Sequence, residues 1–141
     1  MIYADTSVIA AYYCPESISE QADALLRRHP TPSICWLTEV ELASAIRRKV
    51  REGGLSAIDS HRILSRFGLH VSQSMYRVLP LHRQHYRMAQ EWLEQVKTPL
   101  RSLDALHLAR AMSAGIPLAT ADKRQRDAGE AVGLPVIMLE C

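Results

Sequence analysis

Met1-Ile2-Tyr3-Ala4-Asp5-Thr6-Ser7 opens the chain, and Ile116-Pro117-Leu118-Ala119-Thr120-Ala121-Asp122 repeats its pattern near the other end. Each is a short apolar run whose last residues turn acidic and hydroxylic just before a helix is expected. Runs of this length, bounded by polar turns, read as buried strands. In an open parallel α/β sheet the crevice lies at the carboxyl ends of the strands, so Asp5 and Asp122 are expected at one mouth. Carboxylates gathered there repel unless a cation joins them, and hard divalent ions such as Mg2+ favour such oxygen donors. The pattern points to a metal-dependent enzyme.

Between these two runs, helical and extended segments alternate. Ser7 to Tyr13 reads as a helix stopping near Pro15. Ser17 and Glu20 form a capping-box pair that opens an amphipathic helix ending before Pro30. Ser33-Ile34-Cys35-Trp36 reads as a second buried strand, followed by a helix from about Thr38 to Arg51 that Gly53-Gly54 breaks. Ser56 starts another helix, with Gly68 expected to close it. Tyr76 to Leu79 is a third strand. His82 to Val96 carries Met88, Ala89, Trp92, Leu93 and Val96 at helical spacing. Leu103 to Ala114 is helical, stopped by Gly115, and Pro135 to Leu139 is the last strand. Strands alternating with helices imply an α/β fold with a parallel sheet covered on both faces.

Composition narrows the classes without choosing among them. A chain of 141 residues with 48% hydrophobic residues suits one domain over positions 1–141, with a proper core. The formal charge of +2 is too mild to argue for nucleic acid by itself. Cys14, Cys35 and Cys141 are an odd number without CxxC spacing, which argues against a disulfide framework or a zinc knuckle and for a reducing cytoplasm. Asp5 interrupts the first apolar run and no basic segment precedes it, which speaks against a signal peptide. No apolar run approaches the ~18 residues of a membrane span.

Asp104 is a third notable carboxylate. From Leu103 to Met112 the segment is apolar on nearly every side, interrupted by Asp104, His107 and Arg110. Such a helix is a buried one, and an unpaired carboxylate on it is costly. A place in the first turn relieves part of that cost through the helix dipole. The residue therefore serves either as a dipole-favoured aspartate or as a ligand. Glu41 is a fourth. Thr38-Glu39-Val40-Glu41 is itself a capping box, in which Glu41 bonds back to the Thr38 amide. Leu42, Ile46 and Val50 define the apolar stripe, with Glu41 nearly opposite, so spacing alone serves Glu39 equally well.

The resemblance to a known family goes further. The chain resembles PIN-domain ribonucleases, most closely the VapC-type toxins of bacterial toxin–antitoxin pairs. Asp5-Thr6-Ser7 after an apolar opening is similar to the family's first motif, and Thr38-x-x-Glu41-Leu42 to the second, which selects Glu41 over Glu39. Leu103-Asp104-Ala105-Leu106-His107-Leu108-Ala109 resembles the third and Leu118-Ala119-Thr120-Ala121-Asp122 the fourth. Each motif alone is short and common; together, in family order, they are specific.

The resemblance implies a three-layer α/β/α sandwich whose acidic cluster binds Mg2+ or Mn2+ and cleaves RNA. By position, Asp5 and Asp104 would be the main metal ligands, with Glu41 and Asp122 completing the cluster. Thr6, Ser7 and Thr120 would orient carboxylates or touch a phosphate. A bound metal would stabilise charge on the phosphoryl oxygens and lower the pKa of an attacking water. An antitoxin supplying an apolar helix and a homodimer around a shared channel are implied as well.

The remaining residues carry weaker signals. Arg47, Arg48, Lys49 and Arg51, and likewise Lys123, Arg124 and Arg126, read as solvated helix faces. Arg48 is the exception: seven residues after Glu41 it falls on nearly the same stripe, about 10 Å along the axis, within reach of an RNA phosphate. His82 and His85 are expected at the surface, and His107 as a packed or hydrogen-bonded helix residue. Tyr12, Tyr13, Trp36 and Leu37 are expected in the core, or as an antitoxin groove where exposed. Competing functions are a metal-dependent phosphatase or DNA nuclease on the same acidic site, and a non-catalytic RNA-binding or scaffold domain. The clustered carboxylates argue against the last, since RNA binding alone has no use for negative charge.

Overall fold

The structure is a computed structural model and describes residues 1–95, 97 and 99–140. Val96, placed by its spacing on a helix, and Cys141, counted among the thiols, lie outside the described residues.

The opening run forms β1 (Tyr3–Ala4) and passes directly into α1 (Thr6–Tyr13) and α2 (Ser19–Arg28). Then come β2 (Ser33–Cys35), α3 (Trp36–Arg51), α4 (Ala57–Ser72), β3 (Arg77–Leu79), α5 (Arg83–Gln95), α6 (Ser102–Ala114), β4 (Leu118–Thr120), α7 (Lys123–Ala131) and β5 (Val136–Met138). The strands make one sheet in the order β3-β2-β1-β4-β5, with every pairing parallel. Tyr3 stands opposite Leu118 and Ala4 opposite Ala119.

Period-two alternation along these strands divides the core. Ile2, Ala4, Ile34 and Ala119 face one way, onto Val8, Ile9, Ala22, Leu42, Ile46 and Phe67 of the first four helices. Tyr3, Cys35, Leu79 and Leu118 face the other way, onto Leu108, Ala111 and Ala128 of α6 and α7. The result is the expected three-layer α/β/α sandwich, in which helices cover both sheet faces and the central strands are buried on both sides.

Several local expectations need correction. α2 starts at Ser19, later than a Ser17 cap would place it, with Ile18 as an N-cap that makes no side-chain cap bond. The Ser19 hydroxyl instead donates to the carbonyls of Ala11 and Cys14, at 2.7 and 3.0 Å, and fastens the α1–α2 turn. Gly68 does not close α4, which continues to Ser72. Ile63, Leu64, Phe67 and Val71 all pack on the core, and their burial outweighs the ~1 kcal/mol helix penalty of one glycine. α3 begins at Trp36, two residues earlier than expected, so Trp36 leaves the strand and stands 55% exposed. His85, expected at the surface, is fully buried against His82, with Nδ1 accepting the His82 N–H at 2.8 Å. Gly115 ends α6 as expected, at φ 69° in the left-handed region.

Candidate active site

The sheet order fixes where the site must lie. β1, β2 and β3 are added in one direction, and β4 returns to the other side of β1. The topological switch point is therefore between β1 and β4, the strands that Asp5 and Asp122 follow. Asp5 is the N-cap of α1 and Asp122 the N-cap of α7, each with a carboxylate oxygen accepting a backbone N–H two residues on. Both pair negative charge with the positive end of a helix.

Asp5 is only 6% exposed. One oxygen accepts the Ser7 amide at 2.8 Å and the Ser7 hydroxyl, and the other accepts the Thr120 hydroxyl at 2.6 Å. Thr120 in turn accepts the Asp122 N–H at 3.0 Å, so the ends of β1 and β4 share one hydrogen-bond chain. Burial pushes the Asp5 carboxyl above its ordinary pKa, more than the Ser7 and Thr120 bonds draw it down. A nearby cation would reverse that balance.

The early start of α3 frees Glu41. Thr38 sits in the first turn and accepts the Cys35 N–H at 3.5 Å, so the expected Thr38–Glu41 capping box is not formed. Glu41 instead accepts the Thr6 hydroxyl at 2.8 Å and binds Nε2 of His107. His107 is 2% exposed, with Nδ1 lying 2.6 Å from the Tyr3 hydroxyl. Burial alone would lower the imidazole pKa, but its contacts with Cys35 and Glu41 outweigh that and raise it above the ordinary value. Glu41 shows the converse: burial raises its pKa, and the His107 bond and charge, with Thr6 and Arg101, bring it below the ordinary value.

Asp104 lies in the first turn of α6 as expected. It is 3.0 Å from Arg101, whose guanidinium also stands 3.7 Å from Asp122. A cleft of about 580 Å3 brings Glu41, Asp104, Thr6, Ser7, Arg48 and Arg101 onto one wall system. Of the expected site residues, Asp5 and Thr120 lie behind Ser7, and Asp122 joins through Arg101. Among the described residues no three His, Cys, Asp or Glu side chains stand together as a ready metal cage. The donor set nevertheless fits a hard divalent cation. It consists of carboxylates and hydroxyls, with Asp5 buried among them and the protein's own positive charges, Arg101 and His107, beside the other carboxylates.

Arg101 and the Glu41–His107 pairing are not among the features the sequence singles out. A usable signal existed in both cases. Arg101 is an arginine at a helix N-cap, and His107 is a polar ring inside an apolar helix that must find partners when buried.

The PIN domain family matches residues 2–131 of this chain. The chain belongs to the PIN domain family. Comparison with curated proteins finds no match. Among solved structures, the fold is similar to that of Mycobacterium tuberculosis VapC20, described as a sarcin-ricin loop cleaving toxin. The identity is 20%, with 92% of this chain and 95% of that one covered and a TM-score of 0.74. FitAcB from Neisseria gonorrhoeae gives a TM-score of 0.75 at 19% identity, over 97% and 96% of the two chains. VapBC2 from Rickettsia felis, bound to a promoter DNA fragment, gives 0.69 at 15% identity over 99% and 100%. At these identities the likeness is one of fold. Among the described residues no helix is long and apolar enough to cross a membrane.

Proposed function

We propose that this PIN domain is a metal-dependent endoribonuclease acting as the toxin of a toxin–antitoxin pair. One observation carries the reading: strand-end Asp5 and Asp122 meet at the switch point of the sheet, next to a cleft lined by Glu41, Asp104 and Arg48. Asp5, Glu41, Asp104 and Asp122 would hold Mg2+ or Mn2+, which polarises a phosphoryl oxygen and activates water when bound. Ser7 and Thr120 orient Asp5, and Thr6 with His107 keeps Glu41 ionised and aimed at the cleft. Arg48 lines the same cleft and offers a charge for an RNA phosphate. Exposed Trp36 and Val40 on α3 are apolar surface for an antitoxin helix. The toxin–antitoxin complexes among the structural neighbours support a partner of that kind. A homodimer completes the proposal, because one copy brings only short basic segments to a polyanion.

The test is cleavage of RNA by the purified chain. Mg2+ or Mn2+ should support cleavage and EDTA abolish it, while Asp5→Asn drops the rate to background with the fold retained by circular dichroism. Metal-independent cleavage, or full activity of Asp5→Asn, contradicts the reading. Expression in bacteria separates toxin from housekeeping nuclease: the wild type should arrest growth and Asp104→Ala should not, at equal soluble levels.

A further inference from the structure

Arg101 occupies a position that local chemistry disfavours. It is the N-cap of α6, at φ −93° and ψ 159°, and its side chain makes no cap bond. A cap needs an acceptor, which a guanidinium lacks. A cation at a helix N-terminus also opposes the dipole. Its sequence-local partner is Asp104, three residues on, but the reach to Asp122 beyond β4 is not a helix-capping contact and points to a further role.

The compensation lies in the acidic site. Nε of Arg101 is 3.0 Å from Asp104 Oδ2, and Nη2 is 3.7 Å from Asp122 Oδ2. Its charge also acts on Glu41. The side chain stays 61% exposed, while Asp104 is 17% and Asp122 35% exposed, so the guanidinium is the most open of the three groups and the freest to move. Among the described residues no ready metal cage is formed, and Arg101 engages two of the carboxylates that would build one.

We propose that Arg101 is an internal counter-ion that holds Asp104 and Asp122 until a divalent cation displaces it, and that the displaced guanidinium then positions an RNA phosphate. This rests on the nuclease reading above. Exchange of one cation for another keeps the carboxylates neutralised throughout, so the apo protein avoids bare like-charge repulsion. The guanidinium already lines the cleft with Arg48, and its planar fork matches phosphate geometry in a way that a lysine does not.

The experiment is Mn2+ titration of the metal-free full chain by calorimetry, for wild type, Arg101→Gln and Arg101→Lys. Arg101→Gln should bind Mn2+ roughly fivefold more tightly, the scale of one exposed ion pair relinquished. Arg101→Lys, a point charge that cannot fork across two carboxylates, should fall between. At saturating Mg2+, Arg101→Gln should raise KM for RNA by more than it lowers kcat. Mn2+ affinity in Arg101→Gln equal to or weaker than wild type would overturn the counter-ion role, and an unchanged KM the phosphate role. A wild type that takes up no Mn2+ would overturn the nuclease reading itself, and this proposal with it.

Discussion

His107 lies between the Tyr3 hydroxyl on one ring nitrogen and Glu41 on the other, almost wholly out of solvent. Both nitrogens are committed, so the ring cannot turn without leaving a buried group unpaired. His107→Ala removes a partner from both the Tyr3 hydroxyl and Glu41, which keeps only the Thr6 bond, and should cost about 3 kcal/mol, the low end for breaking a buried pair. His107→Gln can still donate to Glu41 and should cost less, about 1–2 kcal/mol. Urea unfolding checks both, and wild-type stability in His107→Ala would contradict the account. Asp5 and Asp122 were legible in the sequence because each follows a strand and opens a helix, whereas Asp104 and Glu41 stood apart from equally good structural readings only through the family resemblance. The His107 partnership was not legible, since 66 residues separate it from Glu41 and only the fold joins them. Arg101 escaped notice for a related reason: its link to Asp122 exists only once α6 and β4 stand side by side.

Among the helices, two glycines look alike in sequence and differ in space. Gly68 lies inside α4 with nothing near the position of a Cβ. Gly68→Ala should therefore stabilise by about 0.5–1 kcal/mol, the helix-propensity difference. A Cβ on Gly129 of α7 would stand 2.8 Å from Val136 Cγ2 on β5, a branched side chain with little freedom to yield. Gly129→Ala should cost about 1–3 kcal/mol through overpacking. Thermal melts of both variants test the pair, and equal effects would contradict this packing. In the first turn of α5, His85 accepts the His82 amide and so must be neutral, and burial, with Arg110 and His82 nearby, lowers its pKa below 6.5. The unfolded chain then takes a proton the folded site refuses, so stability falls as pH drops below 6.5 and is fully present above it. His85→Asn keeps an acceptor without the titration. Denaturant midpoints between pH 5 and 7 should slope less in the variant, and parallel slopes would count against the assignment.

The alternation of apolar strands and amphipathic helices gave the α/β layering, because a strand buried on both faces leaves an unmistakable apolar run. Helix starts were less readable. Capping residues at Ser17 and Thr38 matched the rule, but packing set the first turns at Ser19 and Trp36 instead. The exposure of Trp36 and Val40 follows from that shift and leaves apolar surface that association would cover. The homodimer proposed from the short basic segments should give twice the 15.9 kDa of a single chain by light scattering at micromolar concentration without antitoxin, and a mass of one chain alone would rule out a stable dimer. The central claim is that residues brought together from β1, α3, α6 and the end of β4 form one metal site. Anomalous diffraction from crystals grown with Mn2+ tests it most directly. A single peak contacted by Asp5 and Asp104, with Glu41 and Asp122 around it and Arg101 moved off Asp104, is the result expected. Crystals saturated with Mn2+ that show no peak at these carboxylates, and Arg101 still seated between Asp104 and Asp122, would contradict it.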